Sequence, residues 1–114
     1  MTEVSPGEVR IELPFSSAWT QQHGYIHAGI ITTIADSACG YAAYTLMTST
    51  VGILTVEYKV NLLSPARGER FIAVGKVIKP GRTLTVCGGE VFAVEKGGEK
   101  LIATMQATMM AIPM

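Results

Sequence analysis

The chain is poor in charge. Only 16% of its 114 residues are Asp, Glu, Lys or Arg, and nine basic residues against nine acidic ones give a formal net charge of zero. No cluster of three or more basic residues occurs, so neither nucleic acid nor an anionic membrane is indicated as a partner. Cysteine is scarce: Cys39 and Cys87 lie in no CxxC or His/Cys spacing, which argues against a disulfide scaffold and a structural zinc site. Free thiols in a reducing cytoplasm are the expectation. The two histidines, His23 and His27, have no evident third ligand, so no metal is expected. No G-x-S-x-G stretch is present, which disfavours serine hydrolysis of that type. Glu3, Glu8, Arg10 and Glu12 make Met1–Leu13 a poor secretory leader. The longest weakly charged stretch, Ala28–Val56, holds too many Thr, Ser and Gly residues for a membrane span. A soluble cytoplasmic protein of one domain, residues 1–114, is expected.

What is abundant is apolar residues, 48% of the chain. They fall first at helical and then at strand spacing. Residues 8–13 alternate loosely, and 14–26 are irregular and polar. From Ala28 to about Met47, the residues Ile30, Ile31, Ile34, Ala35, Ala38, Tyr41 and Ala42 recur at the helical period. The period then changes to two. Leu54, Val56, Tyr58, Val60 and Leu62 alternate against Thr55, Glu57, Lys59 and Asn61 over residues 52–63. Further strands are expected at 70–78, 83–95 and 100–112, with turns at 64–68, 79–82 and 95–99 and a bulge or bend at Gly88-Gly89. Short connections imply hairpins and a mainly antiparallel sheet of five to six strands. One long helix against a curved sheet is an α+β layout.

The helix has a second face of interest. Projection places the Ile/Ala/Tyr stripe, Tyr41 included, on the side that packs on the sheet, and Thr32, Thr33, Asp36, Cys39, Gly40 and Ala43 opposite. That opposite side is short and nearly uncharged, which suggests cover by a ligand or a second subunit. Asp36 is the single charged residue between His27 and Glu57. A lone carboxylate on a covered face is costly unless it is paired or used. On the residues alone, a structural Asp bonded to nearby backbone fits equally well. His27, Ala28 and Gly29 open the helix, where unsatisfied backbone N–H groups can hold a developing oxyanion. On spacing alone, His27 reads as a cap and Gly29 as a backbone requirement.

These residues, in this order, resemble a known pattern. Gln21-Gln22-His23-Gly24-Tyr25-Ile26-His27-Ala28-Gly29 followed by Ile34-Ala35-Asp36 resembles the Asn-x-x-Gly-x-x-His-Gly-Gly…Asp motif of PaaI-type (phenylacetic acid degradation) hot-dog thioesterases. Thr55-Val56-Glu57-Tyr58, Leu62-Leu63-Ser64-Pro65-Ala66 and Gly81-Arg82-Thr83-Leu84 extend the resemblance over roughly residues 20–110. It implies a hot-dog fold, a central helix wrapped by the sheet, and hydrolysis of acyl-CoA to free acid and CoA. Asp36 would be nucleophile or general base, and the Ala28 N–H would polarise the thioester carbonyl. Gln21 would lie near that carbonyl or the attacking water, and Thr55 would orient the water. His27 and Gly29 would shape the helix start. Arg67, Lys79 and Arg82, at turns, are candidates for the CoA phosphates. No cofactor is implied beyond CoA as part of the substrate. Dimers or tetramers with shared active sites are expected. Two departures stand out: Ala28 replaces Gly, adding a methyl, and Gln21 is longer than Asn. Alternatives are a non-enzymatic acyl-CoA binding or sensing module, a hydroxyacyl-thioester dehydratase on the same fold, or an unrelated small sheet protein.

Overall fold

A computed structural model describes residues 3–20 and 26–114. Among them, six strands and one long helix occur: β1 (Glu3–Ser5), β2 (Glu8–Pro14), α1 (Ala28–Tyr44), β3 (Val51–Leu62), β4 (Arg70–Lys79), β5 (Leu84–Glu95) and β6 (Gly98–Pro113). A short 3-10 turn spans Ser17–Trp19. All strand pairings are antiparallel, in the order β1-β2-β4-β5-β6-β3. The curved sheet with one helix laid against it is the hot-dog arrangement.

The β4–β5 and β5–β6 links are hairpins, as their turn residues predict. The latter is tight: Glu95 pairs with Gly98, and Gly97 takes φ 105, a left-handed value open to glycine. The Ser64–Gly68 segment departs from expectation. It does not join hairpin partners, because β3 pairs with β6 and so lies at the far edge of the sheet. The remaining edge is β1, three exposed residues too short to show a period in the sequence.

The helix begins at Ala28, as expected, and ends at Tyr44, short of Met47. Thr45 stops it. Its hydroxyl donates to the Ala42 carbonyl at 2.7 Å and accepts from the Gly7 N–H at 2.7 Å, tying the helix end to the β1–β2 turn. The helix sits unusually close to the sheet at a pair of glycines. Gly75 on β4 and Gly89 on β5 are cross-strand partners. A Cβ on Gly75 would stand 2.3 Å from the Ala38 carbonyl carbon, and one on Gly89 would stand 3.0 Å from the Cys39 sulfur. Gly88-Gly89 is therefore regular strand, not a bulge; the absence of side chains there gives the helix its seat. This depth also changes which helix residues are covered. Cys39 and Ala43, expected to face outward, are fully buried, while Tyr41, expected to pack on the sheet, is 48% exposed.

The core lies between helix and sheet, built on Ile31, Ile34, Phe71, Val91, Ile102 and Met109. Irregular register occurs at three places: Thr55/Glu57, Val77/Lys79 and Val91/Phe92. The first matters for the site.

Candidate active site

Asp36 is the sole charged residue of α1 and is half-buried. It lies one turn from Cys39 and so at the rim of the buried face. Its Oδ1 accepts a hydrogen bond from the Thr55 hydroxyl at 2.9 Å. The two residues are nineteen apart in sequence and are brought together by the crossing of α1 over β3. Simple alternation would turn Thr55 to the same face as Glu57 and Lys59, away from the helix. The bulge reverses this. Thr55 pairs with Met109 and Glu57 with Thr108, leaving Val56 as an extra residue between them. Met109 belongs to the core and Thr108 Oγ1 donates to the exposed Glu57 carboxylate at 3.1 Å. Thr55 is thereby aimed inward and Glu57 outward.

Met109 was not a candidate in the sequence, yet its sulfur lies 3.3 Å from Thr55 Oγ1. Only the β3–β6 pairing reveals it. Cys39 also closes on the site from below. Burial foremost, then the nearby Cys87 and Asp36, push its thiol up to about 12, and burial pushes Cys87 to about 11. Both are inert protonated thiols near neutral pH.

The helix start is held by its own residues. His27 is the N-cap, and its Nδ1 accepts from the Gly29 N–H at 3.0 Å. The His27 carbonyl accepts from Ile30 N at 3.0 Å. The Ala28 N–H has no acceptor among the described residues. Ala28 lines a groove of about 360 Å³ with Ile26, Leu62, Leu63, Pro65 and Ile102, which is largely apolar. The Ile26 N–H donates to the Ala66 carbonyl at 2.8 Å and so fixes the 62–66 segment beside the helix start. Gln21 falls outside the described residues.

The structure does not bring the three candidate phosphate contacts together. Arg67 follows Ala66 at the N-terminal end of the helix. Lys79 and Arg82 flank the β4–β5 hairpin, where Ala111 N donates to the Thr83 carbonyl, at the opposite end of the sheet. Among the described residues, no group of three or more His, Cys, Asp or Glu side chains is disposed to hold a metal, and no helix is long and apolar enough to cross a membrane.

The fold defines a class, and comparison with known proteins supplies the family. Residues 23–100 match the family model described as the thioesterase superfamily. The chain belongs to that superfamily. It is 34% identical over 80 residues to an inferred esterase of Saccharolobus solfataricus, taking in 70% of this chain and 56% of that one. A counterpart in Halobacterium salinarum is 33% identical, covering 74% of this chain and 58% of its own. The match thus spans little more than half the length of these curated relatives. Among solved structures, a thioesterase family protein from Silicibacter pomeroyi is 53% identical with a TM-score of 0.96, covering 98% of this chain and 82% of that one. A thioesterase enzyme of Staphylococcus aureus is 25% identical with a TM-score of 0.90, covering 98% and 91%.

Proposed function

We propose that this protein hydrolyses acyl-CoA thioesters in the manner of the PaaI-type branch, as a dimer with sites shared between subunits. The observation that carries the reading is Asp36: the one charge on its helix, half-buried, and met by a hydroxyl that a bulge has turned toward it. A carboxylate so placed either attacks the thioester carbon or takes a proton from water. The Ala28 N–H, at the positive end of the helix, holds the negative charge that grows on the carbonyl oxygen. Collapse of the tetrahedral species breaks the C–S bond. On the base route, the proton that Asp36 took from water passes to the thiolate and leaves the free acid and CoA. On the nucleophile route, solvent protonates the thiolate and water then hydrolyses the acyl–Asp36 anhydride to the acid.

One chain alone cannot assemble this. Ala28 and Asp36 are eight residues apart on α1, about 12 Å along the axis at ~1.5 Å per residue. A two-fold axis resolves the separation. β3 is an edge strand of 12 residues whose outer backbone groups are unpaired among the described residues, and Leu54, Val56 and Tyr58 on it are about half-exposed. Antiparallel pairing of β3 with its copy would extend the sheet and lay two helices side by side in opposite directions. Asp36 and Thr55 of one subunit then face the partner's Ala28. Each dimer holds two such sites.

The test is thiol release from a panel of acyl-CoAs with wild type and Asp36→Asn. The variant should lose two or more orders of magnitude in kcat, about 3 kcal/mol in barrier, while remaining folded. Turnover at the wild-type rate in the variant would remove Asp36 from the chemistry.

A further inference from the structure

Beside the helix-start groove lies a second cleft of about 460 Å³. The two share Pro65. The second is walled on one side by Arg67 and on the other by the β5–β6 hairpin, which contributes Lys96, Lys100, Glu95 and Glu99. Three cations therefore face two carboxylates. One of those carboxylates is already engaged, since Glu99 Oε2 lies 4.0 Å from Arg10. Arg67, Lys96 and Lys100 are exposed and have no ion-pair partner among the described residues. The hairpin tip between the two lysines is Gly97-Gly98, and a side chain at either position would meet nothing within 4 Å. The cleft is basic, and its rim is bare of side chains at the Gly97-Gly98 tip.

The order of these features matches the order of groups in a CoA thioester. Such a molecule carries its reacting carbonyl at one end, an uncharged pantetheine arm in the middle and its phosphates at the other end. Here the Ala28 N–H opens onto an apolar groove along Leu62–Ala66, and that groove leads past Pro65 to Arg67, Lys96 and Lys100. We propose that the β5–β6 hairpin is the phosphate anchor of the CoA nucleotide, with Lys96 and Lys100 joining Arg67. Lys79 and Arg82 lie at the other end of the chain's own sheet and take no part in this anchor. The inference rests on the reading that the substrate is a CoA thioester.

Two probes separate this anchor from the chemistry. Adenosine 3′,5′-bisphosphate carries phosphates of the nucleotide without a thioester, and an acyl N-acetylcysteamine thioester carries the reacting group without phosphates. In the full-length protein, Lys96→Glu/Lys100→Glu should weaken calorimetric binding of the bisphosphate at least tenfold. It should raise KM for acyl-CoA by a similar factor with kcat within twofold, and leave kcat/KM for the truncated thioester within twofold. Lys96→Arg/Lys100→Arg should bind as wild type. The anchor is refuted if the Glu variant binds the bisphosphate as tightly as wild type, or if wild type does not bind it. Absence of hydrolysis by wild type on every thioester would instead overturn the proposed activity, and the bisphosphate measurement would still decide the anchor.

Discussion

The seat of the helix on Gly75 makes a sharp demand on sequence. Replacing that glycine by alanine adds a Cβ 2.3 Å from the Ala38 carbonyl carbon, 2.4 Å from its oxygen and 2.6 Å from the Cys39 nitrogen. Ordinary contact begins near 3.4 Å, so about 1 Å must be made up. Both colliding groups are backbone, on a helix and on an inner strand, and neither can rotate aside. Overpacking of a tight core costs about 1–3 kcal/mol, and this case belongs at the upper end. For a domain of this size, Gly75→Ala should lower the melting temperature by roughly 10–20 °C. The same lift reaches the chemistry, because Asp36 stands two residues before Ala38. A displacement of about 1 Å is enough to break its 2.9 Å contact with Thr55, and kcat should fall on the order of a hundredfold. Thermal unfolding by circular dichroism, with thioester turnover measured well below the transition, reads both effects. Gly40→Ala is the control: its Cβ would meet Met109 at 4.0 Å, an ordinary contact, and alanine favours the helix by roughly 0.5–1 kcal/mol. A Gly75→Ala protein that melts within 3 °C or so of wild type would mean that the helix is not seated there.

Other expectations follow from the site. Ala28→Gly should stay active, whereas Ala28→Pro, which deletes the N–H while remaining compatible with a first helical turn, should lose turnover; an active, folded Pro variant would remove the helix end from the mechanism. Refolding Asp36→Asn together with Ala28→Pro should recover about a quarter of wild-type activity, because half the dimers are mixed and each has one intact site; proven heterodimers without activity would place the site within one chain. Cys39 and Cys87 should resist alkylation at pH 8 in the native protein and react only on unfolding. Because both thiols are raised from 9.0, unfolded chains release these protons first as pH rises. The thiols' contribution to stability is therefore whole below pH 9 and is lost between about 9 and 12, which denaturant midpoints over that range would record.

Much of the architecture was legible because local signals agree with the final packing. His27-Ala28-Gly29 and the apolar spacing behind it marked the helix start. Leu46 and Met47 prolong that spacing, so the sequence overshoots an end that Thr45 sets by bonding to a distant turn. The buried face of α1 is wider than its apolar spacing indicates for a tertiary reason: two strand glycines let the helix sink until Cys39 and Ala43 are covered. Asp36 stood out as a lone charge. The inward aim of Thr55 was not readable from alternation, since one unpaired residue on β3 reverses it, and only the family resemblance pointed there. Arg67, Lys79 and Arg82 looked equivalent as turn cations. They separate because β4 runs between them, with Arg67 before its first residue and Lys79 and Arg82 at its other end, a consequence of the strand expected at 70–78.

The bulge at Val56 makes the geometry of the site a matter of parity. In an unbroken strand, residues an even number apart share a face, and Thr55 would be opposed to Tyr58, Val60 and Leu62. With Val56 unpaired, residues an odd number apart share it, and all four turn toward the helix side, opposite Met109, Ala107, Met105 and Ala103. Loss of that single residue would leave composition and hydrophobicity nearly unchanged. It would also leave the parity intact, because without Val56 Thr55 stands two residues from Tyr58, and a regular strand still turns Thr55, Tyr58, Val60 and Leu62 to one face. What the site requires is that Val56 stay out of the ladder: a paired Val56 would turn either the hydroxyl beside Asp36 or the apolar wall beyond it inward, but not both, so deletion of Val56 should be tolerated better than insertion of a further residue beside it.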